Sequence, residues 1–481
     1  MKLLAKTVGI GCLLLMFVPS ASAEVLTLDE AIDIAVNRTG RGGIIEGNFE
    51  VAEQQYFAEK IGFYLPEISI NATSPSYGSN ERWGYLYGTD TKSTMREPFR
   101  NLAADISLKQ SLITGGELTA RADLTDSDGE HPNRDGVQVD ESSQLGRFSF
   151  SLTQPVLQPS QPKYDLSNRR DDLELAQLKR AEETANLKTE VVEAFIGVLQ
   201  SKLSRDRSEA ELERAQLQVG IDSAKLADGI VSDDQWLETL AGRLDAELKQ
   251  FESEDVAAEQ RRTLATLLDV ESVASQTLMP PDSVRHIDQD TRQRFLTEWE
   301  NSAPLQKAKY EYDKQKRTAG FTESAHGLSG TLTANYNMSR GEVEDAGITD
   351  DLKTNSWEVK LDLSYPLWDG GASGAAVKAA RLSADQARLE YEKTEKSVQA
   401  QIATLLNQAD VSFRKLDVLR QKIGIAETKL GIAKSRLDDG QISKLTYLES
   451  EISLLEAKND HLEELKKYYS TRIQLEGNYL D

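Results

Sequence analysis

Four stretches of the chain alternate between apolar and polar side chains. In the clearest, every second residue is apolar: Trp357, Val359, Leu361, Leu363, Tyr365 and Leu367. A period of two is that of a β-strand with one apolar and one polar face. The pattern predicts strands at about 66–77, 145–157, 328–339 and 355–368.

A fifth alternating region lies between the first two of these strands, at about 102–126. Its apolar positions are Ile106, Leu108 and Leu112, and then Leu118, Ala120, Ala122 and Leu124. Thr114-Gly115-Gly116 stands between the two groups and is a typical turn sequence. The region therefore predicts an additional β-hairpin. Whether its strands join the others, or fold over one end of them, stays open.

Long helices follow the strands. No proline occurs from Ala372 to Asp438, and these 67 residues would form a helix of about 100 Å at ~1.5 Å per residue. After Gly440, apolar residues recur at steps of three and four, as in a coiled coil. A similar pattern precedes and follows Gly229. Two helical hairpins are predicted, at about 165–270 and 372–480. A shorter helix is predicted to begin at the capping box Thr27-Leu-Asp-Glu30.

The two halves of the chain are related by an offset of 211 residues. Gly229–Thr239 resembles Gly440–Ser450, and Ser151–Leu157 resembles Asp362–Trp368 at the same offset. A long unit therefore occurs twice, at 24–270 and 291–481, with a linker at 271–290 that contains Pro280-Pro281. The first strand of one half matches the first strand of the other only at an offset of 264, Pro66 with Gly330, so the first half carries about 53 extra residues (264 − 211), which hold the additional hairpin.

The start of the chain has the features of an export signal. Lys2 and Lys6 precede an apolar stretch, and Ala21-Ser-Ala23 is a small-residue cleavage sequence, so residues 1–23 are predicted to be a signal peptide. Cys12 is the single cysteine of the chain, and its lipidation is left undecided. Without the signal, 54 basic residues (56 − 2) face 79 acidic ones, a net charge of −25. Such an acidic chain is not expected to bind nucleic acid.

No catalytic or metal-binding pattern is evident. The four histidines are scattered, without the spacing of a ligand set, and after removal of the signal no thiolate remains. Gly370-Gly371-Ala-Ser-Gly374 follows a strand and opens a helix, but it lacks the spacing and the lysine of a phosphate-binding loop. We expect no enzyme activity, no cofactor and no metal.

The apolar faces of the strands need an environment. They meet each other in a soluble sandwich, and they face lipid in an outer-membrane barrel. Strands of about ten residues, aromatic side chains near strand ends and an export signal favour the barrel. Four strands are too few to close one, so several copies are expected to share it.

The duplicated strand-to-helix junctions, Ser-Leu-Thr-Gln-Pro155-Val-Leu and Leu-Ser-Tyr-Pro366-Leu-Trp-Asp-Gly-Gly371, resemble those of the TolC-like outer-membrane efflux proteins. So do the two hairpin tips, Asp228–Ser232 and Asp439–Ser443. The resemblance implies a mainly α fold with β: a homotrimeric β-barrel, four strands from each protomer, continued by a long α-helical coiled-coil barrel. It implies a passive exit duct in the Gram-negative outer membrane, with the helical part in the periplasm, serving efflux or type I secretion.

The resemblance further implies partners. These are outer-membrane lipid, a periplasmic adaptor and an inner-membrane transporter of the RND, ABC or a similar class. A glycine suits a sharp turn between helices, and a serine can cap the returning helix, but apolar residues at an exposed tip need another explanation. The residues expected to contact the adaptor are Gly229, Ile230, Val231, Ser232, Gly440, Gln441, Ile442 and Ser443.

Acidic residues just past the second tip close the duct in the TolC-like family. By position they correspond here to Thr446 and Glu449, with Gln235 at the comparable place in the first repeat, and of these only Glu449 is a carboxylate. Nearby acidic residues are alternative members of a gate: Asp233, Asp234, Asp438 and Asp439. Which of these residues close the gate is left open.

Two other interpretations remain. A periplasmic adaptor also has long helical hairpins, but normally one, inserted between β domains. A structural coiled-coil protein of the envelope would not need strands with one apolar face. The sequence identifies neither the exported substrate nor the class of pump.

Overall fold

The computed structural model of the chain describes residues 25–85, 90, 92–132, 137–273, 276–281, 284–345 and 347–478. The predicted signal peptide, with Cys12, lies outside the described residues. Contacts divide the chain into two compact units. Among the described residues, the first is built from those within 25–43, 184–292 and 404–476, and the second from those within 44–183, 293–403 and 477–478.

The first half of the chain places four strands between short and long helices. In order, its elements are β1 (Val25–Thr27), α1 (Leu28–Asn37), α2 (Gly40–Tyr64), β2 (Glu67–Tyr85), β3 (Lys92–Ser111), β4 (Glu117–Pro132), β5 (Gln138–Val156), α3 (Gln161–Ala227) and α4 (Asp233–Leu267). The capping box predicted at the start of α1 is present: the Glu30 amide donates to Thr27 Oγ1 at 3.3 Å, and the Thr27 amide donates to the Glu30 carboxylate at 2.9 Å.

The second half repeats this order with two strands instead of four. Its elements are β6 (Thr277–Met279), α5 (Gln289–Thr297), α6 (Ala303–Ala325), β7 (Ser329–Asp345), β8 (Ile348–Ser364), α7 (Ala372–Asp438) and α8 (Lys444–Asn478). None of the helices in the described part of the chain combines the length and the apolar character needed to cross a membrane.

The long strands form one antiparallel sheet in the second unit, in the order β2-β3-β4-β5-β7-β8. Cross-strand pairing places apolar residues in rows on one face and polar residues in rows on the other. One row on the apolar face is Ile68, Leu108, Ala120, Phe150, Tyr336 and Trp357. The neighbouring row on the polar face is Ser69, Ser107, Arg121, Ser149, Asn337 and Ser356. The alternation seen in the sequence is thus a property of the whole sheet.

The sheet differs from the expectation in strand number and strand length. The resemblance implied four strands for each protomer, and the sheet has six because β3 and β4, the additional hairpin, lie between β2 and β5. The polar sequence at the strand ends suggests loops there, but residues 126–132, 138–143, 340–345 and 348–354 lengthen the strands instead. Backbone pairing continues there because polar side chains also pair across strands, as the hydroxyls of Ser127 and Ser143 do at 2.7 Å.

The segment predicted to be a linker, 271–290, is not unstructured throughout. Residues 277–279 form β6, which pairs in parallel with β1 in the first unit, Val25 opposite Thr277. Backbone hydrogen bonding of a three-residue strand leaves no pattern of apolar residues that sequence reasoning could detect. Helix α5 begins at Gln289, within the last two residues of the predicted linker.

In the first unit the long helices contact in the order α4, α3, α8, α7. Helix α4 meets α3 where the hydroxyls of Ser208 and Ser253 lie 2.6 Å apart. Helix α3 meets α8 through the buried residues Ala210, Leu448 and Ile452. Helix α8 meets α7 through Ala426, Leu454 and Ala457. Among these four long helices, α4 and α7 thus lie at the two edges, and Arg292 of α5 contacts Asp410 near one end of the α7 segment in this unit.

In the second unit the helices contact in the order α2, α3, α6, α7. The guanidinium of Arg180 in α3 lies 4.4 Å from the ring centre of Phe49 in α2. Helix α6 contacts α3 through Lys314 and Asp172, 2.8 Å apart, and α7 through Glu323 and Arg381, 2.6 Å apart. Here α2 and α7 are the edges. Each of these four helices is directly joined to a strand of the sheet.

Candidate site at the two hairpin tips

Both helical hairpins turn at a glycine with the same backbone conformation. The φ angle is +70° at Gly229 and +71° at Gly440, in the left-handed region that a side chain disfavours. At each tip two backbone hydrogen bonds end the preceding helix. In the longer-range bond of the first tip the Ile230 amide donates to the Lys225 carbonyl oxygen at 2.9 Å, and in that of the second tip the Gln441 amide donates to the Arg436 carbonyl oxygen at 2.7 Å. This is the Schellman motif, in which glycine ends a helix. The sequence predicted the need for both glycines correctly.

A serine caps the returning helix at each tip. The Gln235 amide donates to Ser232 Oγ at 3.3 Å, and the Ser232 amide donates to Gln235 Oε1 at 3.3 Å. The Thr446 amide donates to Ser443 Oγ at 3.3 Å, with the two hydroxyls 3.1 Å apart. Two candidates for the gate, Gln235 and Thr446, therefore have their polar atoms in helix caps.

The apolar tip residues differ in exposure. Ile230 is 70% exposed, whereas Val231 and Ile442 are only partly exposed. Gln441, which occupies the place of Ile230 in the second repeat, is exposed as well. Of the residues named for adaptor contact, Ile230 alone presents a large apolar side chain fully to its surroundings.

The five acidic candidates for the gate are all exposed: Asp233, Asp234, Asp438, Asp439 and Glu449. Asp233 and Asp234 lie in the first turn of α4, where the helix dipole favours a carboxylate. Asp438 ends α7, where the dipole disfavours a carboxylate. Helix stability therefore explains the first pair of residues but does not explain Asp438.

One carboxylate near the first tip was missed by the sequence analysis. Asp222 in α3 is 8% exposed and accepts hydrogen bonds from Gln218 Nε2 at 2.8 Å and Thr239 Oγ1 at 3.0 Å, with Lys225 Nζ at 3.3 Å. The amide of Gln218, followed by Thr239 and Lys225, lowers the pKa of Asp222 against the opposing effect of burial. Because Thr239 belongs to α4, this contact joins the two arms of the first hairpin. At the 211-residue offset the second hairpin has Ala433 and Ser450 instead.

The edge helices of the first unit carry exposed apolar stripes. On α7 the stripe has a spacing of seven and consists of Val411, Val418, Ile425 and Ile432. On α4 it consists of Leu237, Leu244, Leu248 and Phe251. Seven-residue spacing is typical of helices that pack side by side in a coiled coil. Contiguous exposed apolar stripes of this kind mark surfaces that a partner covers.

Within the described residues, no three His, Cys, Asp or Glu side chains converge so as to hold a metal ion. The geometry at the tips is thus one of turns, caps and exposed charges.

Solved structures with a similar fold include an outer membrane protein and two outer membrane channels. The outer membrane protein VceC of Vibrio cholerae is 13% identical, with a TM-score of 0.58, and the match covers 94% of this chain and 97% of that one. The MtrE outer membrane channel of Neisseria gonorrhoeae is 15% identical, with a TM-score of 0.54 and coverage of 96% and 93%. The CmeC outer membrane channel of Campylobacter jejuni is 13% identical, with a TM-score of 0.58, and the match covers 94% of this chain and 86% of that one. No curated protein sequence matches the chain.

The second half of the chain supplies evidence from sequence. Residues 298–477 match the family model described as outer membrane efflux protein. Over these residues the chain is similar to the outer membrane efflux protein family. The resemblance inferred from the duplicated junctions and tips is thereby confirmed, and so is the fold class of helices with strands. Outer membrane efflux proteins are channels, so the chain is assigned to efflux rather than to the adaptors or the structural coiled coils.

Proposed function

We propose that this outer membrane efflux protein is a passive exit duct of a tripartite efflux or type I secretion system. Its sheet would lie in the Gram-negative outer membrane and its long helices in the periplasm. The observation that carries this proposal is the apolar face that continues across all six strands of the sheet. The energy for export would come from an inner-membrane transporter.

The apolar face of the sheet is exposed in the single chain. Ile70 is 76% exposed, Trp357 78% and Leu361 55%. Large apolar side chains exposed in rows across one face of a sheet require an apolar environment, and lipid supplies it. The opposite face carries serine, threonine, asparagine and charged residues, as the wall of a water-filled lumen does.

The height of the apolar face suits a membrane. Along β5 it extends from Gly146 to Val156, with Gln154 as its one polar side chain and Arg340 opposite Gly146 at its outer end, and ten steps of ~3.4 Å at a tilt of about 45° span roughly 24 Å. Two residues beyond Leu124 along β4, the same face of the sheet carries Asp126, whose carboxylate lies 2.9 Å from the guanidinium of Arg100. A charged pair there is consistent with the outer boundary of the lipid. At the other end, Trp368 is 88% exposed, in the position of an interfacial aromatic residue.

Assembly into a homotrimer is supported by the edges of the protomer. In the first unit the stripe on α4 and the stripe on α7 lie on opposite edges of the helical layer, so the α7 of one copy can pack on the α4 of the next. Such head-to-tail contacts close into a ring. Among the strands that the structure describes, β2 and β8 likewise lie at the two edges of the sheet.

The tips are proposed to bind a periplasmic adaptor, which would bring the inner-membrane transporter to the duct. The exposed Ile230 is the strongest support, because neither turn formation nor helix capping requires it. Asp438, Asp439 and Glu449 are proposed to narrow and charge the closed end of the duct, and a ring of carboxylates there would attract cations.

Membrane fractionation tests whether the protein lies in the outer membrane, which the whole proposal requires. We expect the mature protein in the outer-membrane fraction, migrating on a gel as an oligomer that heating converts to the monomer, and forming channels in planar lipid bilayers. A soluble monomer in the periplasmic fraction would refute it.

A further inference from the structure

We propose that three copies of this chain close a barrel of eighteen strands (3 × 6), in which the hairpin β3–β4 forms part of the wall and β8 pairs with β2 of the next copy. This inference rests on the proposed function as an outer-membrane trimer. It departs from the four strands for each protomer that the resemblance implied, and it enlarges the opening through which the exported molecule passes.

The hairpin has both faces of a wall element. On its apolar face, Ile106 pairs with Ala122, and these residues continue the row from Ile70 of β2 to Phe148 of β5. A hairpin folded over the mouth of a barrel would have no reason to keep this register. Its apolar side chains would face water there.

The polar face of the hairpin is joined to its neighbours by side-chain contacts. Asp105 accepts from Asn71 of β2 at 3.1 Å and pairs with Arg121 of β4 at 3.1 Å. Lys109 pairs with Glu117 at 2.9 Å. These charged groups face the side of the sheet on which the other strands also carry polar residues. They would line the lumen together.

The base of the hairpin is fixed between two helix–strand junctions. On one side, Gln110 Nε2 donates to the carbonyl oxygen of Phe63 at the end of α2, at 3.3 Å. On the other side, Thr114 Oγ1 lies 2.5 Å from Gln154 Oε1, and Gln154 Nε2 donates to the Thr114 carbonyl at 3.1 Å. Gly115, with φ +88°, turns directly against Ser160, the residue before α3. The turn thus fills the space between the end of α2 and the start of α3.

The directions of the edge strands fit a ring. Strand β2 leaves the helical side of the sheet after α2, and β8 returns to that side before α7. With six antiparallel strands, the β2 of a following copy therefore runs antiparallel to β8, and the alternation continues around the ring. Closure pairs the outer sides of β2 and β8, beside which the described residues place no other strand, and a barrel in lipid leaves no open edge.

The width of six strands also matches the width of the helices they join. Four helices side by side, at 8–10 Å each, span about 32–40 Å. Six strands at ~4.8 Å, tilted by about 35–45°, span about 35–41 Å, whereas four strands span only about 23–27 Å. The second unit has four such helices, α2, α3, α6 and α7, each joined to a strand. Eighteen strands would form a barrel roughly 34–39 Å across, of the size class that encloses an aqueous channel in porins.

Single cysteines test whether the hairpin lies in the wall. After signal removal the chain has no other cysteine. Ala122→Cys and Thr119→Cys probe the apolar and polar faces of β4, and Ala334→Cys and Asn335→Cys are matched controls on β7. Each variant carries a bimane label and is reconstituted in vesicles. We expect brominated lipid to quench the labels at 122 and 334, and aqueous iodide to quench those at 119 and 335.

The controls on β7 distinguish an error in the strand number of the barrel from an error in the outer-membrane assignment. If the labels at 334 and 335 alternate but iodide quenches both 119 and 122, the hairpin lies outside the wall and the eighteen-stranded barrel is wrong. If 334 and 335 do not alternate either, the outer-membrane assignment fails together with it.

A cross-linking scan tests closure. Asn71→Cys on the polar face of β2 is combined in turn with cysteine at Ser356, Glu358, Lys360 or Asp362 on the polar face of β8, and treated with a short bismaleimide. These two strands lie at opposite edges of the sheet of one chain. We expect at least one combination to give a covalent trimer on a denaturing gel, and Asn335→Cys in place of Asn71→Cys to give none. A scan without any trimer would overturn the pairing of β8 with β2.

Discussion

The carboxylate of Asp222 and the hydroxyl of Thr239 lie 3.0 Å apart and connect the two arms of the first helical hairpin close to its tip. The second hairpin, with Ala433 and Ser450 at these places, lacks the contact. Ser450 instead donates to the Thr446 carbonyl oxygen in its own helix, at 3.1 Å. The two hairpins have similar turns, but the side-chain contacts just behind the turn therefore differ between them.

Replacing Asp222 with alanine should loosen the first hairpin alone. Gln218, Thr239 and Lys225 would lose their common acceptor, and α4 would lose a contact to α3. We expect faster hydrogen exchange of the backbone amides on both sides of Gly229 and unchanged exchange around Gly440. Ser450→Ala, at the matching place in the second hairpin, is the control and should alter neither. Equal acceleration at both tips after Asp222→Ala would contradict a local role.

The same contact predicts a pH dependence. The pKa of Asp222 is lowered in the folded protein, chiefly by the Gln218 amide. A carboxyl whose pKa is lowered by folding stabilises the fold above its unfolded pKa of about 3.9, and this contribution disappears as the pH falls through the folded pKa. The exchange protection at the first tip should accordingly decrease below about pH 4. The Asp222→Asn variant should not show this decrease.

The packing between the repeats depends on Leu448. Its side chain is 1% exposed and lies with Ala210 and Ile452 between α3 and α8. Leu448→Ala should lower the free energy of unfolding by about 2–5 kcal/mol, because a cavity replaces part of a filled core. Ile230→Ala removes a side chain that is 70% exposed and should change it by less than about 0.5 kcal/mol. Chemical denaturation of the purified protein in detergent measures both.

The periodic parts of this fold could be predicted from sequence, and the relationships between elements could not. Alternation indicated each long strand of the described residues, because one half of each strand has an apolar and a polar face, and the spacing of Leu445, Leu448 and Ile452 indicated a helix. The polar halves of the strands were missed because backbone pairing, not side-chain polarity, holds them in the sheet.

At the tips, sequence predicted the turns from local chemistry alone. Gly229 and Ser232 fulfil requirements of the backbone, which a motif displays directly. Asp222 was missed because its burial depends on Thr239, seventeen positions away in another helix. Gln235 and Thr446 were candidates for the gate by position in a family, and in the structure their polar atoms take part in helix caps. A position carried over from relatives does not reveal that the side chain there takes part in a helix cap.

The junction between β8 and α7 offers a second prediction about pH. The carboxylate of Asp369 accepts from the amides of Gly371 at 2.9 Å and Ser373 at 2.8 Å, and also from the Ser373 hydroxyl. These bonds, with Ser373 the main partner, lower the pKa of Asp369 to about 2. Because the folded pKa is the lower one, the cap is present above about pH 4 and is lost as the pH approaches 2. Titration of the Asp369 carboxyl by NMR should show this midpoint, and Ser373→Ala should raise it.

Adaptor contact at the first tip predicts an effect of charge at position 230. Ile230→Asp places a carboxylate where an apolar side chain is 70% exposed, so an apolar contact with a partner would be lost while the turn is kept. We expect the adaptor that co-purifies with the wild-type protein from cross-linked envelopes to be lost or strongly reduced. Gln441→Asp changes the matching place in the second tip, which has no apolar side chain to lose, and should have the smaller effect. Equal recovery of the adaptor with wild type and Ile230→Asp would contradict the contact.

A gate formed by some of the acidic residues near the tips predicts that these residues differ in their effect on ion selectivity. Asp438 and Asp439 lie at the end of α7, where a carboxylate gains nothing from the helix dipole, and Glu449 is exposed in α8. Three copies of each would hold cations near the mouth of the duct and repel anions. Asp438→Asn, Asp439→Asn and Glu449→Gln should therefore reduce cation preference in bilayer recordings. Asp233→Asn and Asp234→Asn remove charges that the start of α4 favours, so they should act more on hairpin stability than on selectivity. Unchanged selectivity in the triple variant of Asp438, Asp439 and Glu449 would remove these carboxylates from the gate and leave the closed end to apolar or backbone contacts.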